Sequence, residues 1–243
     1  MFARRLCEYG KFLKSLLKTN FRLFRGMWNL TRLPQPAVTV FGGSKVNLDS
    51  EIAEKAKNLT KILANNGFSI ITGGGPGIME AANLGAIEHL KECHANKIFC
   101  KDYVISGGVG LIRLNKERAN PYVQEYVEMD HFFSRKWLLV RYSIGFVVFP
   151  GGFGTLDELF EVITLVQCHR MARVPIVLMG KNYWAPLLDW LITRAIPLGL
   201  VKDSDEKIIT TVTDDVDEAA YIITSYCKEK VKSVFHNGAS PKE

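Results

Sequence analysis

The 243-residue sequence has few cysteines, no long apolar run and almost no acidic side chains near its N-terminus. Its five cysteines are odd in number and form no paired CxxC pattern, which favours a reducing compartment such as the cytoplasm. No apolar run approaches the ~20 residues that a transmembrane helix needs. His89, Cys93 and His94 lie within helical reach of one another but lack a second ligand pair, so we expect no zinc site.

The positive charge is concentrated at one end of the chain. Residues 1–32 hold eight lysines and arginines and a single acid, Glu8, which gives this segment a charge of +7. The formal net charge of the whole chain is +6, so the remainder carries −1. A nearly neutral main domain shows no nucleic-acid footprint. With 47% hydrophobic residues, the chain is able to bury one substantial core.

Residues 1–36 form a basic amphipathic segment that ends in a short linker at Pro34 and Pro36. Its apolar side chains recur at helical intervals, at Phe2, Leu6, Tyr9, Leu13, Leu16 and Leu17. We interpret the segment as a helix that packs on the body of the protein or on a neighbouring subunit. Peripheral contact of residues 1–32 with an anionic membrane and a role as a transit peptide are the alternatives that its composition leaves open.

Strands and helices alternate through residues 37–231, and residues 232–243 read as a polar tail. The patterns predict strands at 37–41, 68–72, 103–106, 144–149, 174–179 and 207–212. They predict helices at 49–65, 78–90, 132–142, 159–166, 184–194 and 217–230. The strands are apolar throughout, so we expect an α/β fold: a Rossmann-like, doubly wound parallel sheet with helices on both faces.

Three of the predicted strands end in glycine-rich loops that precede helices. The loops are Gly42–Ser44, Gly73–Gly77 and Gly151–Thr155. A further predicted strand, at residues 103–106, is expected to end at Gly107 and Gly108. In an open parallel sheet such loops lie at the carboxyl edge, where ligands bind. The three loops are therefore expected to converge on one phosphorylated ligand.

The most informative of these loops is the one that runs from Pro150 to Glu158. Its glycines precede a helix, and the first amide groups of a helix attract an anion. Thr155 is placed to cap the helix or to bind a phosphate oxygen. Asp157 and Glu158 are expected in the first turn, where they either favour the helix dipole or act on a substrate. Because they point about 100° apart, only one of them is expected to face the ligand.

Four further residues have both a structural and a functional interpretation. Arg135 is either a solvated cation near a helix end or a clamp for phosphate and sugar, and Lys136 reads as a supporting charge. Glu80 either starts a helix or holds a ribose hydroxyl or a water molecule. Ser44 either donates to phosphate or forms a turn.

His131 and the aromatic residues that follow it are also open to two interpretations. Both His131 and the pair Phe132 and Phe133 have a possible place beside the base. For the two phenylalanines we favour packing in the core, because aromatic runs usually fill cores.

Three motifs, in this order and spacing, resemble the LOG family of cytokinin riboside 5′-monophosphate phosphoribohydrolases and related nucleoside-monophosphate glycosidases. They are the run from Gly73 to Asn83, the triplet Ser134-Arg135-Lys136, and the run from Pro150 to Glu158. The resemblance extends from about residue 37 to about residue 225. Members of this family were long labelled lysine decarboxylases, but nothing in the sequence resembles a pyridoxal-phosphate lysine site.

The resemblance implies hydrolysis of the N-glycosidic bond of a nucleoside 5′-monophosphate, such as AMP or an N6-modified cytokinin form. The matched catalytic residues are Arg135 and Glu158, with Glu80 as a further acid. The resemblance matches Gly152, Gly154 and Thr155 to the phosphate-binding loop, and Gly74, Gly75, Met79 and Glu80 to the other nucleotide-contacting motif. Further candidates for contact with the substrate or its phosphate are Ser44, Gly77, Lys136 and Gly151.

The resemblance also implies a homodimer or a higher oligomer, since active sites in the family lie near subunit boundaries. The reaction needs neither cofactor nor metal. Lys116 and Glu117 stand where relatives tend to have Glu-Gln, so the base preference is open. The alternative function is that of a binding protein without turnover, like the molybdenum-cofactor carriers that share this fold.

Overall fold

A single parallel sheet organises the computed structural model, which describes residues 2–95, 105–112 and 119–236. Its strands are β1 (Ala37–Phe41), β2 (Ser69–Thr72), β3 (Ser106–Leu111), β4 (Glu125–Met129), β5 (Ser143–Val148), β6 (Ile176–Met179) and β7 (Thr211–Thr213). Their order across the sheet is β4-β3-β2-β1-β5-β6-β7, and every neighbouring pair is parallel. The direction of winding therefore reverses between β1 and β5, which is where such sheets open a ligand crevice.

Helices cover both faces of the sheet. They are α1 (Phe2–Leu30), α2 (Glu51–Asn65), α3 (Ile78–Ala95), α4 (Phe132–Arg141), α5 (Phe153–Gln167), α6 (Lys181–Trp190), α7 (Asp203–Glu206) and α8 (Val216–His236), with a π-helical turn at Leu191–Ala195 after α6. Val38 and Val40 of β1 face a core shared with α2, α3 and α8. Phe41, on the opposite face, stacks on Phe146 of β5 in the core that contains residues of α1, α4 and α5. The predicted doubly wound fold is confirmed.

The sheet differs from the prediction at β3 and β4. The expectation that Gly107 and Gly108 end a strand is wrong, because β3 runs through both of them to Leu111. Glycine is needed inside this strand, since a Cβ on Gly107 would lie 2.8 Å from Leu33 Cδ1 and a Cβ on Gly110 would overlap the Tyr126 hydroxyl. Tyr126 belongs to β4, an edge strand that the sequence patterns did not reveal.

The described residues begin and end in helices. Leu30 and Leu33 are buried in the core, and Arg22 Nη1 donates to Asp130 Oδ1 at 2.8 Å, so the C-terminal part of α1 packs on the body as predicted. Residues 8–18 are exposed. The predicted tail overlaps the end of α8, and residues 237–243 lie outside the described residues. Across the described ranges, no helix combines the length and apolarity needed to cross a bilayer.

Candidate active site

The three glycine loops meet at the carboxyl edge of β1, β2 and β5. The first and third are joined because Gly43 N donates to Pro150 O at 3.0 Å, and the first contacts the start of α3 because Ile78 N donates to Gly43 O at 3.1 Å. The backbones approach closely enough that a Cβ on Gly77 would overlap Gly43 O. Gly77 also has a φ of +69°, a conformation that glycine tolerates and other residues rarely adopt.

Where the loops meet, they border a cavity of about 810 Å³. Of the residues chosen from the sequence, the cavity is lined by Ser44, Gly75, Met79, Arg135, Gly151, Gly152, Gly154, Thr155 and Glu158. A larger hollow of about 1240 Å³ lies beside α4 and α5 and is lined by neither the glycine loops nor Glu158. We therefore place the candidate site in the smaller cavity, where the predicted anion-binding groups converge.

Helix α5 opens towards this cavity. Gly152 is its N-cap, and Leu156 N donates back to Gly152 O at 3.1 Å, so the amides of Phe153, Gly154 and Thr155 precede the first intrahelical bond. A Cβ on Gly154 would meet open space. A helix start of this kind, unobstructed by side chains, suits a phosphate group.

The two acids of this helix lie one turn later than predicted. Because α5 begins at Phe153, Asp157 and Glu158 are its fifth and sixth residues, and the expectation that they occupy the first turn is wrong. Asp157 is exposed, and its Oδ1 lies 2.7 Å from Lys136 Nζ. Glu158 is buried and turned towards Arg135. Glu158 is thus the acid of the pair that lines the cavity.

Arg135 and Glu158 form a nearly buried ion pair. Their side chains are 12% and 11% exposed, and Arg135 Nη1 donates to Glu158 Oε1 at 2.6 Å. Arg135 Nε donates to Val109 O at 2.9 Å, which ties the guanidinium to β3. The guanidinium also lies over Gly73, where a Cβ would overlap it. The arginine is therefore held from two sides rather than solvated at a helix end.

The surroundings of Glu158 act on its ionisation in opposite directions. Burial raises the pKa of the Glu158 carboxyl above its usual range, while the charge and hydrogen bond of Arg135 oppose that rise. A carboxylate kept in a largely dry site acts more strongly on a nearby positive charge than one in water.

The remaining residues chosen from the sequence lie around the cavity rather than on its wall. Lys136 contacts Asp157 and lies 3.2 Å from Glu161 on the outer side of α4, where it lines the larger hollow. Gly74 and Gly77 are buried in the second loop. Glu80 is half-buried on α3. None of these four is among the described residues that line the cavity.

A buried amide network holds the second loop in place. Asn83 accepts from Thr72 Oγ1 at 2.7 Å and donates to Ser106 Oγ at 2.8 Å. Asn120 donates to Asn83 Oδ1 at 3.0 Å and to Gly75 O at 2.9 Å. Since buried polar groups are costly when unpaired, this network fixes the loop that leads into α3 and so positions Met79.

Several lining residues were not identified from the sequence. Lys45 follows Ser44 in the first loop, so a cation beside a glycine turn was an available signal. Tyr126 comes from β4, the strand that was missed. Tyr183 of α6 also lines the cavity, and its hydroxyl donates to Gly151 O in the third loop.

The aromatic pair at the start of α4 also differs from expectation. Phe132 and Phe133 are 56% and 62% exposed, so the prediction that they pack in the core is wrong. Phe132 borders the cavity, and Phe133 stacks on His131. Lys116 and Glu117 lie outside the described residues.

Comparisons with known proteins match the same region of the chain. The family model described as possible lysine decarboxylase, the older label of the LOG family, matches residues 79–223, which is more than half of the chain. The chain belongs to the LOG family. A second model, the SLOG cluster4 family, matches residues 35–91, so the two LOG-related matches together include all three glycine loops.

Curated LOG relatives align over most of the chain. The probable cytokinin riboside 5′-monophosphate phosphoribohydrolase LOGL9 of Oryza sativa is 28% identical over 177 residues, covering 73% of each protein. The pyrimidine/purine nucleotide 5′-monophosphate nucleosidase of Escherichia coli is 30% identical over 147 residues, covering 60% of this chain. The aligned part is only 31% of that enzyme.

Solved structures share the fold. The molybdenum cofactor carrier protein of Chlamydomonas reinhardtii superposes with a TM-score of 0.54 at 20% identity, covering 79% of this chain and 98% of the carrier. At this identity the similarity establishes the α/β architecture of a LOG-family chain and says nothing about its ligand.

Proposed function

We propose that this protein hydrolyses the N-glycosidic bond of nucleoside 5′-monophosphates and releases the free base and ribose 5-phosphate. Purine monophosphates such as AMP, or their N6-modified cytokinin forms, are the proposed substrates. The observation that carries the proposal is the buried Arg135–Glu158 pair in a cavity whose edge is the open start of α5. The names of the curated relatives support the same reaction.

The proposal gives each part of the site a task. The amides of Phe153, Gly154 and Thr155, with Ser44 and Lys45 opposite, bind the phosphate. The sugar then lies towards Glu158. As the bond from the sugar to the base breaks, its electron pair goes to the base nitrogen and positive charge builds on the ribose, where an adjacent carboxylate stabilises it. Water then adds to the ribose carbon that had carried the base, and a proton of that water leaves with the base.

The experiment is incubation with a panel of nucleoside monophosphates while free base is followed by chromatography. Glu158→Gln keeps the shape of the side chain and removes its charge, so base release should fall by at least about a hundredfold. Asp157→Asn is the matched control: it is the neighbouring acid on the same helix, exposed and turned to Lys136, and it should keep most of the activity. Undiminished release by Glu158→Gln would remove the assignment.

A carrier without turnover is the alternative function, and the same panel separates the two. A carrier would bind a phosphorylated ligand without releasing base, and it has no chemical need for a desolvated Arg135–Glu158 pair. Calorimetric binding of AMP with no base released on prolonged incubation would favour the carrier.

We further propose that the active form is a homodimer or a larger assembly in a reducing compartment. Phe133 and Trp137 on α4 are 62% and 41% exposed and line the hollow beside the site. A second copy seated there would cover them and close the cavity at Phe132, which borders both spaces. Cys168 and Cys227 form no disulfide within the part of the chain that the structure describes, as a reducing compartment permits.

A further inference from the structure

Residues 8–18 of α1 are not buried against the body of the protein. Residues 8–18 are all exposed, and burial begins at Thr19 and continues at Gly26 and Leu30. The contact at Gly26 is close, since a Cβ there would lie 2.7 Å from Leu138 Cδ1. A helix of 29 residues is about 44 Å long, so a long, anchored arm projects from the sheet.

The arm carries a continuous exposed apolar face. Its members share spacings of about three and four residues and are 41–71% exposed: Tyr9, Phe12, Leu13, Leu16, Leu17, Phe21, Phe24 and Trp28. A large exposed apolar face of this kind marks a site of contact with a protein or a membrane. Aromatic side chains such as Trp28 and Tyr9 favour the boundary between lipid and water.

The opposite face of the arm is cationic. Lys11, Lys14, Lys18, Arg22 and Arg25 also recur at intervals of three and four residues and so share a second face of the helix. Arg22 and Lys18 lie 2.8 and 3.5 Å from Asp130 Oδ1. Glu8 is the one acid among the first 32 residues. The segment as a whole selects an anionic partner.

We propose that α1 binds the surface of an anionic lipid bilayer. The helix lies parallel to that surface, with the apolar face among the upper acyl chains and Lys11, Lys14 and Arg25 near lipid phosphates. Charge disfavours a second copy as the occupant, because two such segments would bring +7 against +7 and the remainder of each chain carries only −1. The proposal is independent of the proposed enzymatic function.

The test is flotation of the full-length protein with vesicles of phosphatidylcholine alone or mixed with phosphatidylserine. The protein should float with the anionic vesicles only, and high salt should release it. Neutralising Lys11, Lys14 and Arg25 together to Gln should weaken binding by roughly a hundredfold. Phe21→Ser combined with Phe24→Ser should weaken it by at least about tenfold.

The matched control is Leu198→Ser combined with Leu200→Ser, two side chains that are each 71% exposed elsewhere on the molecule. This variant should float like the wild type. Tryptophan emission should shift to the blue on vesicle addition, and Trp28→Phe should remove that shift. Circular dichroism confirms that each variant is folded.

Three outcomes would overturn the proposal. They are a wild-type protein that does not float with anionic vesicles, equal binding to both vesicle types, and apolar-face or charge variants that bind as well as the wild type. If vesicles fail to bind and Phe21→Ser with Phe24→Ser lowers the molar mass in light scattering, the face is instead a contact between copies.

Discussion

Asp157 and Glu158 are adjacent carboxylic acids with different surroundings. The rotation of about 100° between successive residues of α5 places Asp157 in solvent beside Lys136 and Glu158 in a nearly dry contact with Arg135. The sequence predicted that only one acid faces the ligand, because helix geometry requires it. It misplaced both by a turn, since glycines before a helix do not reveal which of them is the N-cap.

Arg135 opposes the rise that burial causes in the pKa of Glu158, which gives a prediction about pH. Arg135→Met removes the charge that opposes the effect of burial, so the pKa of Glu158 should rise further. Where ionised Glu158 is required, the acidic limb of kcat/KM against pH moves to higher pH, and kcat/KM at neutral pH falls by about tenfold or more. A pH–rate series with AMP measures this shift.

Lys136→Met is the control for this prediction. Lys136 lowers the pKa of Glu158, as Arg135 does, but more weakly. The acidic limb of kcat/KM against pH should therefore move less in Lys136→Met than in Arg135→Met. The protonated acid is the form that burial favours, so Arg135→Met should also lose stability as the pH rises through the folded-state pKa of Glu158. An unmoved acidic limb in folded Arg135→Met would exclude Glu158 as the group that limits the rate.

The start of α5 illustrates how one element serves both packing and binding. Gly151 and Gly154 belong to the same motif, but their surroundings differ. A Cβ on Gly151 would overlap Thr155 and lie 2.8 Å from Gly43 N, whereas a Cβ on Gly154 would meet nothing within 4 Å. Gly151 is therefore needed for close packing of the two loops, whereas Gly154 leaves space beside the helix start. The sequence marks both as glycines of a phosphate loop and does not distinguish the packing role from the binding role.

Gly154→Ala should therefore separate stability from substrate binding. Ala is favoured over Gly within a helix, so the variant should gain about 0.5–1 kcal/mol in the free energy of unfolding. Its methyl group would occupy the open space beside the first-turn amides, so KM for AMP should rise by about tenfold while kcat changes little. Urea unfolding and steady-state kinetics provide both values.

Gly151→Ala is the counterpart for this element. Its methyl group must displace backbone of the first loop, so it should lose about 1–3 kcal/mol of stability together with activity. An unchanged KM in stable Gly154→Ala would place the phosphate away from the start of α5.

Strands β3 and β4 mark the limit of prediction at the scale of elements. Gly107 and Gly108 were predicted to end a strand because glycine is rare inside strands, but β3 runs through them and Gly110. Glycine is used there because Leu33 packs on one face and Tyr126 on the other, and both contacts are distant in sequence. β4 is an edge strand with alternating burial, so it lacks the apolar run that identified the buried strands.

At the scale of the whole molecule, the reversal between β1 and β5 determines where the site lies. The sequence revealed the parallel strands and the loops that follow them, and their convergence follows from the topology of such sheets. The hydrogen bonds of Arg135 with Val109 and Glu158 join residues that are distant in sequence. The sequence alone therefore did not predict them.

The exposed surface of α4 leads to the last prediction, which concerns assembly. Phe133→Glu combined with Trp137→Glu should lower the molar mass measured by light scattering, since each buried aromatic in an interface is worth about 2 kcal/mol or more. Trp190→Glu is the matched control, because Trp190 is 52% exposed on α6, away from that hollow, and should leave the mass unchanged. Base release should fall with the mass, because Phe132 on the same helix borders the cavity that a second copy would close. A wild-type protein that is monomeric and fully active at all concentrations would show that one copy is sufficient.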